Sequence, residues 1–271
     1  MTRQTWLAAH PYLQPLESLD ALVHAAMSEI EVPSAGLPVW NDYLADFHDG
    51  IPLLRSPSVA IDFEPAVGAV VALVEKAASM PLPGAFSDES RVLNDELDRD
   101  RDAPRRVVEW LIDEDSFATS HPGLLRYLGW TVLAGYLSPV VPAFGAWRQE
   151  DRWLRNFCPT CGAPPAMGHL SGTDPGRLRL LTCGRCATAW RYRRTGCPFC
   201  ENADDHRLSV MALEGEGGLR IDYCQACSGY LKTYNGNGDE DVLLADWTSL
   251  HLDIAARDRG LKRLAASLYE L

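Results

Sequence analysis

The first 157 residues repeat apolar positions at the 3.6-residue spacing of helices, and from residue 158 the pattern changes to short strand-like runs separated by turn residues. In "PLESLDALVHAAMSEI", Leu16, Leu19, Val23, Met27 and Ile30 fall on one stripe. "EPAVGAVVALVEKAA" places Pro65 at a helix start, where no amide is needed, and Val67, Val70, Val71 and Val74 on one face. "APRRVVEWLID" predicts another helix. "GLLRYLGWTVLAGYL" is apolar almost throughout and predicts a central buried helix, broken by Pro139 and Pro142. Ahead of these two lies "SDESRVLNDELDRDRD", whose seven acidic residues in a mixed-charge run predict a solvated loop or helix face.

Beyond residue 157 the chain repeats one unit. "MGHL" and "RLRLLT" flank the turn-rich "SGTDPG", and "RLSVMA" and "LRIDY" flank "LEGEGG", so each pair predicts a hairpin. A third strand-like run follows each, "TAWRYRR" and "GYLKTY". The last segment, "DEDVLLADWTSLHLDIAARDRGLKRLAASL", predicts an amphipathic helix that packs back on the body, with Leu243, Trp247, Leu250, Ile254, Leu261, Leu264 and Leu268 on a stripe interrupted near Gly260. The expected fold is α+β: an all-α helical domain over 1–157, two tandem metal ribbons over 158–194 and 195–238, and a C-terminal helix over 239–271.

Cysteine placement carries the candidate chemistry. All eight fall in four CxxC pairs, Cys158/Cys161, Cys183/Cys186, Cys197/Cys200 and Cys224/Cys227. Where thiols stay reduced, such pairs are metal ligands rather than disulfides, and a tetrahedral site takes four thiolates at this spacing. The repeat assigns Cys158, Cys161, Cys183 and Cys186 to one ion and Cys197, Cys200, Cys224 and Cys227 to a second. The competing arrangement joins 183/186 to 197/200 and leaves 158/161 to reach 224/227. A ribbon of about 35 residues buries too little apolar surface to fold unaided, so a purely structural clip is a sufficient role for the metal. Thiol-disulfide exchange is the sharper alternative, although redox CxxC pairs open helices and these lie between strands. Zinc and iron suit all-thiolate coordination equally. His169 and His206 are expected at the surface or in turns.

Charge narrows the classes of partner. The chain has 25 Lys and Arg against 37 Asp and Glu, net -12, which argues against general nucleic-acid or anionic-membrane affinity. Arg191, Arg193 and Arg194 form a local basic patch, but strand alternation puts Arg194 opposite the other two. No signal-peptide run or membrane-length apolar stretch is evident, so a cytoplasmic protein without membrane insertion is expected. No enzyme constellation is found: the histidines are scattered without ligand spacing, "GEGG" sits in a hairpin, and no serine lies in a nucleophile elbow.

The motifs "FCPTCGAPPAMG", "LRLLTCGRCATAW", "RRTGCPFCEN" and "YCQACSGYLK", with the preceding "LLRYLGWTVLAGYLSPVVPAFG", together resemble the formate dehydrogenase accessory protein FdhE family. That resemblance implies a cytoplasmic maturation factor whose cysteine module is rubredoxin-like and iron-binding, with all eight cysteines matching motif positions. It also implies a partner, the catalytic subunit of a formate dehydrogenase, whose exported forms begin with a twin-arginine signal. Residues 1–157 carry 23 acidic against 12 basic side chains, so Asp95, Glu96, Asp98, Asp100 and Asp102 are expected to favour encounter with a basic client segment. The alternative function is a ribbon-bearing adaptor in transcription or translation.

Overall fold

The computed structural model describes residues 2–113, 117–172, 177–213, 215–216, 218–236 and 245–269. By contacts the chain divides into two compact units, one of residues 1–8, 45–53 and 148–267, the other of residues 9–44, 54–147 and 268–271. The division differs from the linear boundaries expected at 157/158, 194/195 and 238/239, because two N-terminal segments join the cysteine-bearing unit and both ribbons share one sheet.

Among the described residues, the helical unit is built around α4 (Glu64–Ser79) and α7 (Pro122–Tyr136), with α2 (Gln14–Met27), α5 (Phe86–Arg99) and α6 (Ala103–Asp113) packed on them. The preceding helix α1 spans Arg3–Ala9, and the division falls inside α3 (Trp40–Asp49). Helix α7 is buried along most of its length, as its apolar composition predicts. The buried face of α4 is Ala66, Ala69, Val70, Leu73, Val74 and Ala77, while Val67 and Val71 lie at its margin. Half of this face is alanine, which the valine count conceals. Pro142 does not break a helix. It sits in the first turn of α8 (Val140–Trp147), where its missing amide leaves no bond unmade. Trp40 stacks on Phe144 and Trp147 at 5.8 and 5.5 Å, closing the end of this unit's core.

The acidic run is helical. Leu93 and Leu97 of α5 face inward, and Asp95, Asp98 and Asp102 are exposed. Glu96 instead ties down residues 119–120, accepting from Thr119 Oγ1 at 2.7 Å and the Ser120 amide at 3.1 Å. Partial burial opposes its ionisation, but these hydrogen bonds outweigh burial and hold its carboxyl below the usual range. Asp100 accepts from the Asp102 amide at 2.9 Å and pairs with Arg106.

In the other unit, β1 (Pro165–Ser171), β2 (Leu178–Cys183) and β3 (Ala189–Tyr192) form one antiparallel ribbon; β4 (Leu208–Ala212), β5 (Leu219–Cys224) and β6 (Gly229–Tyr234) form the second. The ribbons merge into one sheet of order β3-β2-β1-β6-β5-β4, because β1 runs parallel to β6 through Met167↔Lys232, Gly168↔Thr233 and His169↔Tyr234. Gly168 permits this junction, since a Cβ there would lie 2.8 Å from Thr233 Oγ1 and 3.0 Å from Leu231 Cδ2. His169 is buried, contrary to the surface or turn position expected, and stacks on Tyr234 at 5.5 Å. His206 is exposed in a 3-10 turn.

The C-terminal segment is not one helix. A 3-10 turn (Asp246–Ser249) leads into α9 (Leu250–Asp258), and the chain then adds a short strand β7 (Lys262–Arg263) parallel to β6. Trp247, Leu252 and Ala256 are buried; Ile254 and Leu264 are exposed, so the expected stripe runs off the packed face. Leu243 lies outside the described residues. Buried charge fixes this segment: Lys232 Nζ lies 2.7 Å from Asp246 Oδ1 and 2.8 Å from Asp253 Oδ2, and Arg263 pairs with both aspartates. Among the described residues no single helix is long and apolar enough to cross a membrane; α7 and α8 pass that test only as a pair bent by 64°.

Candidate metal centres

Each CxxC forms a tight turn around its sulfurs. The amides of Cys158, Cys183 and Cys197 donate to the carbonyls of Ala163, Thr188 and Asn202 at 2.8–2.9 Å, and Gly162, Glu201 and Ser228 donate back to Cys158, Cys197 and Cys224. Closing such a turn needs a left-handed residue after the second cysteine. Gly162, Ala187, Glu201 and Ser228 fill that place with φ of 80°, 56°, 58° and 59°. Among the described residues, these three non-glycine positions are the ones with positive φ, so the strained backbone is confined to the knuckles. The turn aims amides at sulfur: Arg185 at Cys183, Phe199 at Cys197 and Gly229 at Cys227, at 3.3–3.4 Å.

The strands bring the knuckles together in sequence order. Cys158, Cys161, Cys183 and Cys186 gather in one cluster, and Cys197, Cys200, Cys224 and Cys227 in another, with the sulfurs of each within 4.8 Å of one another. A tetrahedral ion with metal–sulfur bonds of about 2.3 Å requires sulfur separations of about 3.8 Å. The second cluster matches this at 3.7 Å for Cys197–Cys227 and 3.8 Å for Cys200–Cys224, and the first is slightly tighter, 3.4–3.7 Å. Two groups of four cysteines are therefore positioned to bind one metal ion each. The spacing suits zinc and iron alike.

The clusters differ in their surroundings. All four cysteines of the first are buried, whereas Cys200 is exposed and Cys227 half-buried in the second. Beside the first, the buried hydroxyls of Thr160 and Thr188 lie 2.8 Å apart, and Thr188 Oγ1 is 3.2 Å from Cys186 Sγ. At the same offsets from their cysteines the second cluster has Phe199 and Gly229. Sequence reasoning missed this outer layer, although the equal offsets in "CPTC" and "CATAW" mark it. A Cβ on Gly229 would come within 3.2 Å of the Phe199 ring.

Proton affinity within each cluster is uneven. Burial pushes the Cys158 thiol well up, and hydrogen bonding with Cys158, Cys183 and Cys186 does the same to Cys161. Burial also disfavours the Cys186 thiolate, but hydrogen bonds with its three partners and Thr188 outweigh it and hold that thiol well below the usual value. In the second cluster burial pushes Cys197 up to about 12, while at Cys200 burial opposes the thiolate but hydrogen bonds from the Asn202 amide and the neighbouring thiols outweigh it and lower that thiol. An ion bound by four thiolates displaces the thiol protons, so its affinity depends on pH.

Arg191 pairs with Asp151, and Arg193 donates to the Glu201 carbonyl at 2.7 Å, so two arginines of the expected basic patch are engaged locally.

The chain is similar to known proteins. The family model described as "FdhE, central domain" matches residues 157–194, the first knuckle through the first ribbon's last strand. An FdhE homologue of Stutzerimonas stutzeri is 30% identical over 280 residues, covering 96% of this chain and 84% of that protein. The homologues of Aquifex aeolicus and Pseudomonas aeruginosa are 31% and 36% identical over 133 and 124 residues; these alignments cover 47% and 42% of this chain and 47% and 39% of those proteins, so less than half of each relative is spanned. The crystal structure of the FdhE protein from Pseudomonas aeruginosa superposes with a TM-score of 0.62 over 95% of this chain and 88% of that chain, at 22% identity, which shows a shared fold. With a relative 30% identical along nearly its whole length, this chain belongs to the FdhE family.

Proposed function

We propose that this protein is a cytoplasmic accessory factor for formate dehydrogenase that binds the immature catalytic subunit before assembly or export. The observation that carries this reading is the double cluster: two sets of four cysteines held on one continuous sheet, in a chain of the FdhE family. The eight cysteines hold two ions, iron in the first instance and zinc as the alternative. When bound, each ion cross-links two knuckles that the ribbon's small core would hold only weakly. The sheet then presents a fixed surface to the folded part of the client. Asp95, Asp98 and Asp102, exposed on and beside α5, favour encounter with a basic client segment, an effect on association rate that salt screens over about 8 Å at physiological ionic strength. Glu96 and Asp100 serve the fold instead.

The test is co-purification without oxygen. Tagged protein, expressed with a formate dehydrogenase catalytic subunit, should retain that subunit, and a variant lacking both clusters should not. Retention of no subunit, together with full dehydrogenase activity in cells lacking this protein, would overturn the reading.

A further inference from the structure

The two clusters share the turn geometry of their knuckles and differ in what touches their sulfurs. In the first, Thr160 and Thr188 each stand two residues beyond a cysteine, Cys158 and Cys186, and the meeting of the two knuckles brings their hydroxyls to 2.8 Å. Thr188 Oγ1 also lies 3.2 Å from Cys186 Sγ. Both threonines are buried, at 0% and 3% exposure, so bulk water does not replace either hydroxyl. In the second cluster the corresponding residues are Phe199, after Cys197, and Gly229, after Cys227, and neither has a hydroxyl. The packing there also excludes one, since a Cβ on Gly229 would lie 2.7 Å from Leu264 Cδ1 and 3.1 Å from Cys227 Sγ.

A thiolate bound to a metal accepts hydrogen bonds and donates none, which fixes the direction of these contacts. Each hydroxyl has one proton to give. Thr160 Oγ1 meets Thr188 Oγ1 and no other partner among the described residues, so its proton goes there. Thr188 then accepts from Thr160 and donates to Cys186 Sγ. The reverse order would turn the Thr188 proton away from the sulfur and set an oxygen lone pair against a negative charge. A bond to a charged acceptor is the stronger kind, and the bond from Thr160 polarises it further. The surroundings give the relay its purpose. Four thiolates around a divalent ion leave two net negative charges, and the first cluster buries all four sulfurs, a cost that hydrogen bonds offset. At the second cluster Cys200 is exposed, so solvent shares the charge.

We propose that Thr160 and Thr188 are positioning residues of the first metal site: their hydroxyls form a two-step donor relay onto the Cys186 thiolate and make the two ions of this chain chemically unequal. The relay tightens the first site for a divalent ion. For iron it favours the reduced form, because hydrogen bonds to sulfur strengthen as the site gains negative charge. The proposal rests on the reading that each cluster holds one ion, and it needs no client.

The full chain, isolated without oxygen and exchanged with cobalt(II), tests it. The parent should take up two ions with sulfur-to-cobalt charge-transfer bands. Thr160→Val/Thr188→Val removes both hydroxyls together, so neither is left without its partner. In this variant the bands of one ion should move to longer wavelength and that ion should bind about tenfold more weakly against a competing chelator, with the other ion unchanged. Thr188→Ser, which keeps the hydroxyl, should match the parent. Loaded with iron, the double variant should have half of its iron shifted about tenfold toward the oxidised form at a given potential, about 59 mV for a one-electron couple. Failure of the parent to bind cobalt through sulfur would overturn the ion reading and the relay with it. Two sulfur-bound cobalt ions with identical bands in parent and double variant, equal weakening of both ions, or Thr188→Ser behaving as the valine variant would overturn the relay alone.

Discussion

Replacing Lys232 with methionine removes the cation at the centre of the clamp between β6 and the C-terminal segment. The side chain is 1% exposed, and its ammonium lies 2.7 Å from Asp246 Oδ1, 2.8 Å from Asp253 Oδ2 and 2.8 Å from the Asp246 carbonyl, which uses all three N–H bonds. Arg263 supplies the second cation, with Nη2 2.7 Å from both carboxylate oxygens of Asp246. Two cations therefore face two carboxylates that are only 6% and 7% exposed. Methionine preserves the volume of the stem and leaves one buried negative charge without compensation. Breaking a buried pair in this way costs about 3–5 kcal/mol, a large share of the ~5–15 kcal/mol typical of a folded protein. Neutralising the second partner as well, in Lys232→Met/Asp253→Asn, restores the balance, and the pair should show a coupling of about 0.5–3 kcal/mol. Urea unfolding followed by tryptophan fluorescence measures both, since Trp247 is buried in the turn that carries Asp246. A loss below about 1 kcal/mol for the single change, or strict additivity of the two, would refute the reasoning.

Exposure of Cys200 and Cys227 makes the second cluster the first to lose its ion, so a chelator or thiol reagent should release one equivalent quickly and the other slowly; a single phase would contradict this. Glu201→Gly relieves a left-handed residue, and the steric gain of about 1–2 kcal/mol less the entropy of glycine, about 0.5–1, should leave a stabilisation of up to about 1.5 kcal/mol in thermal unfolding, whereas Glu201→Val should destabilise. Burial raises the Asp246 carboxyl, but the charges of Lys232 and Arg263 outweigh it and hold the group to about 2, below its ordinary 3.8. A folded-state value that is depressed stabilises fully above the unfolded value and is lost as pH falls through the folded one, so the stability gap between parent and Asp246→Asn should stay constant near neutral pH and shrink between about pH 4 and 2.

Local chemistry was legible in the sequence, and long-range pairing was not. Strand runs, their antiparallel pairing and the grouping of the sulfurs followed from the repeat of CxxC pairs, because each knuckle and its strand pair are set by residues close in the chain; the turn residues 173–176 lie outside the described residues. The parallel junction of β1 with β6 left no comparable mark, for its partners Gly168 and Thr233 are distant in sequence and neither is unusual alone. His169 was placed outside for the same reason, since its burial depends on Tyr234. Charge density misled at Glu96, where a side chain in an acidic run caps a distant turn. At the C-terminus an apolar stripe suggested one helix, but Gly260, with φ of 74°, ends α9 and turns the chain toward β7.

The central claim is that each ribbon holds one ion in a four-thiolate site. Protein isolated without oxygen should contain two metal ions per chain, each with four sulfurs at about 2.3 Å by X-ray absorption. Metal analysis of two double variants then tests the grouping. Cys158→Ser/Cys183→Ser should retain one ion, because both changes fall in the first cluster, and Cys183→Ser/Cys197→Ser should retain none. One ion in the second of these variants and none in the first would contradict the account.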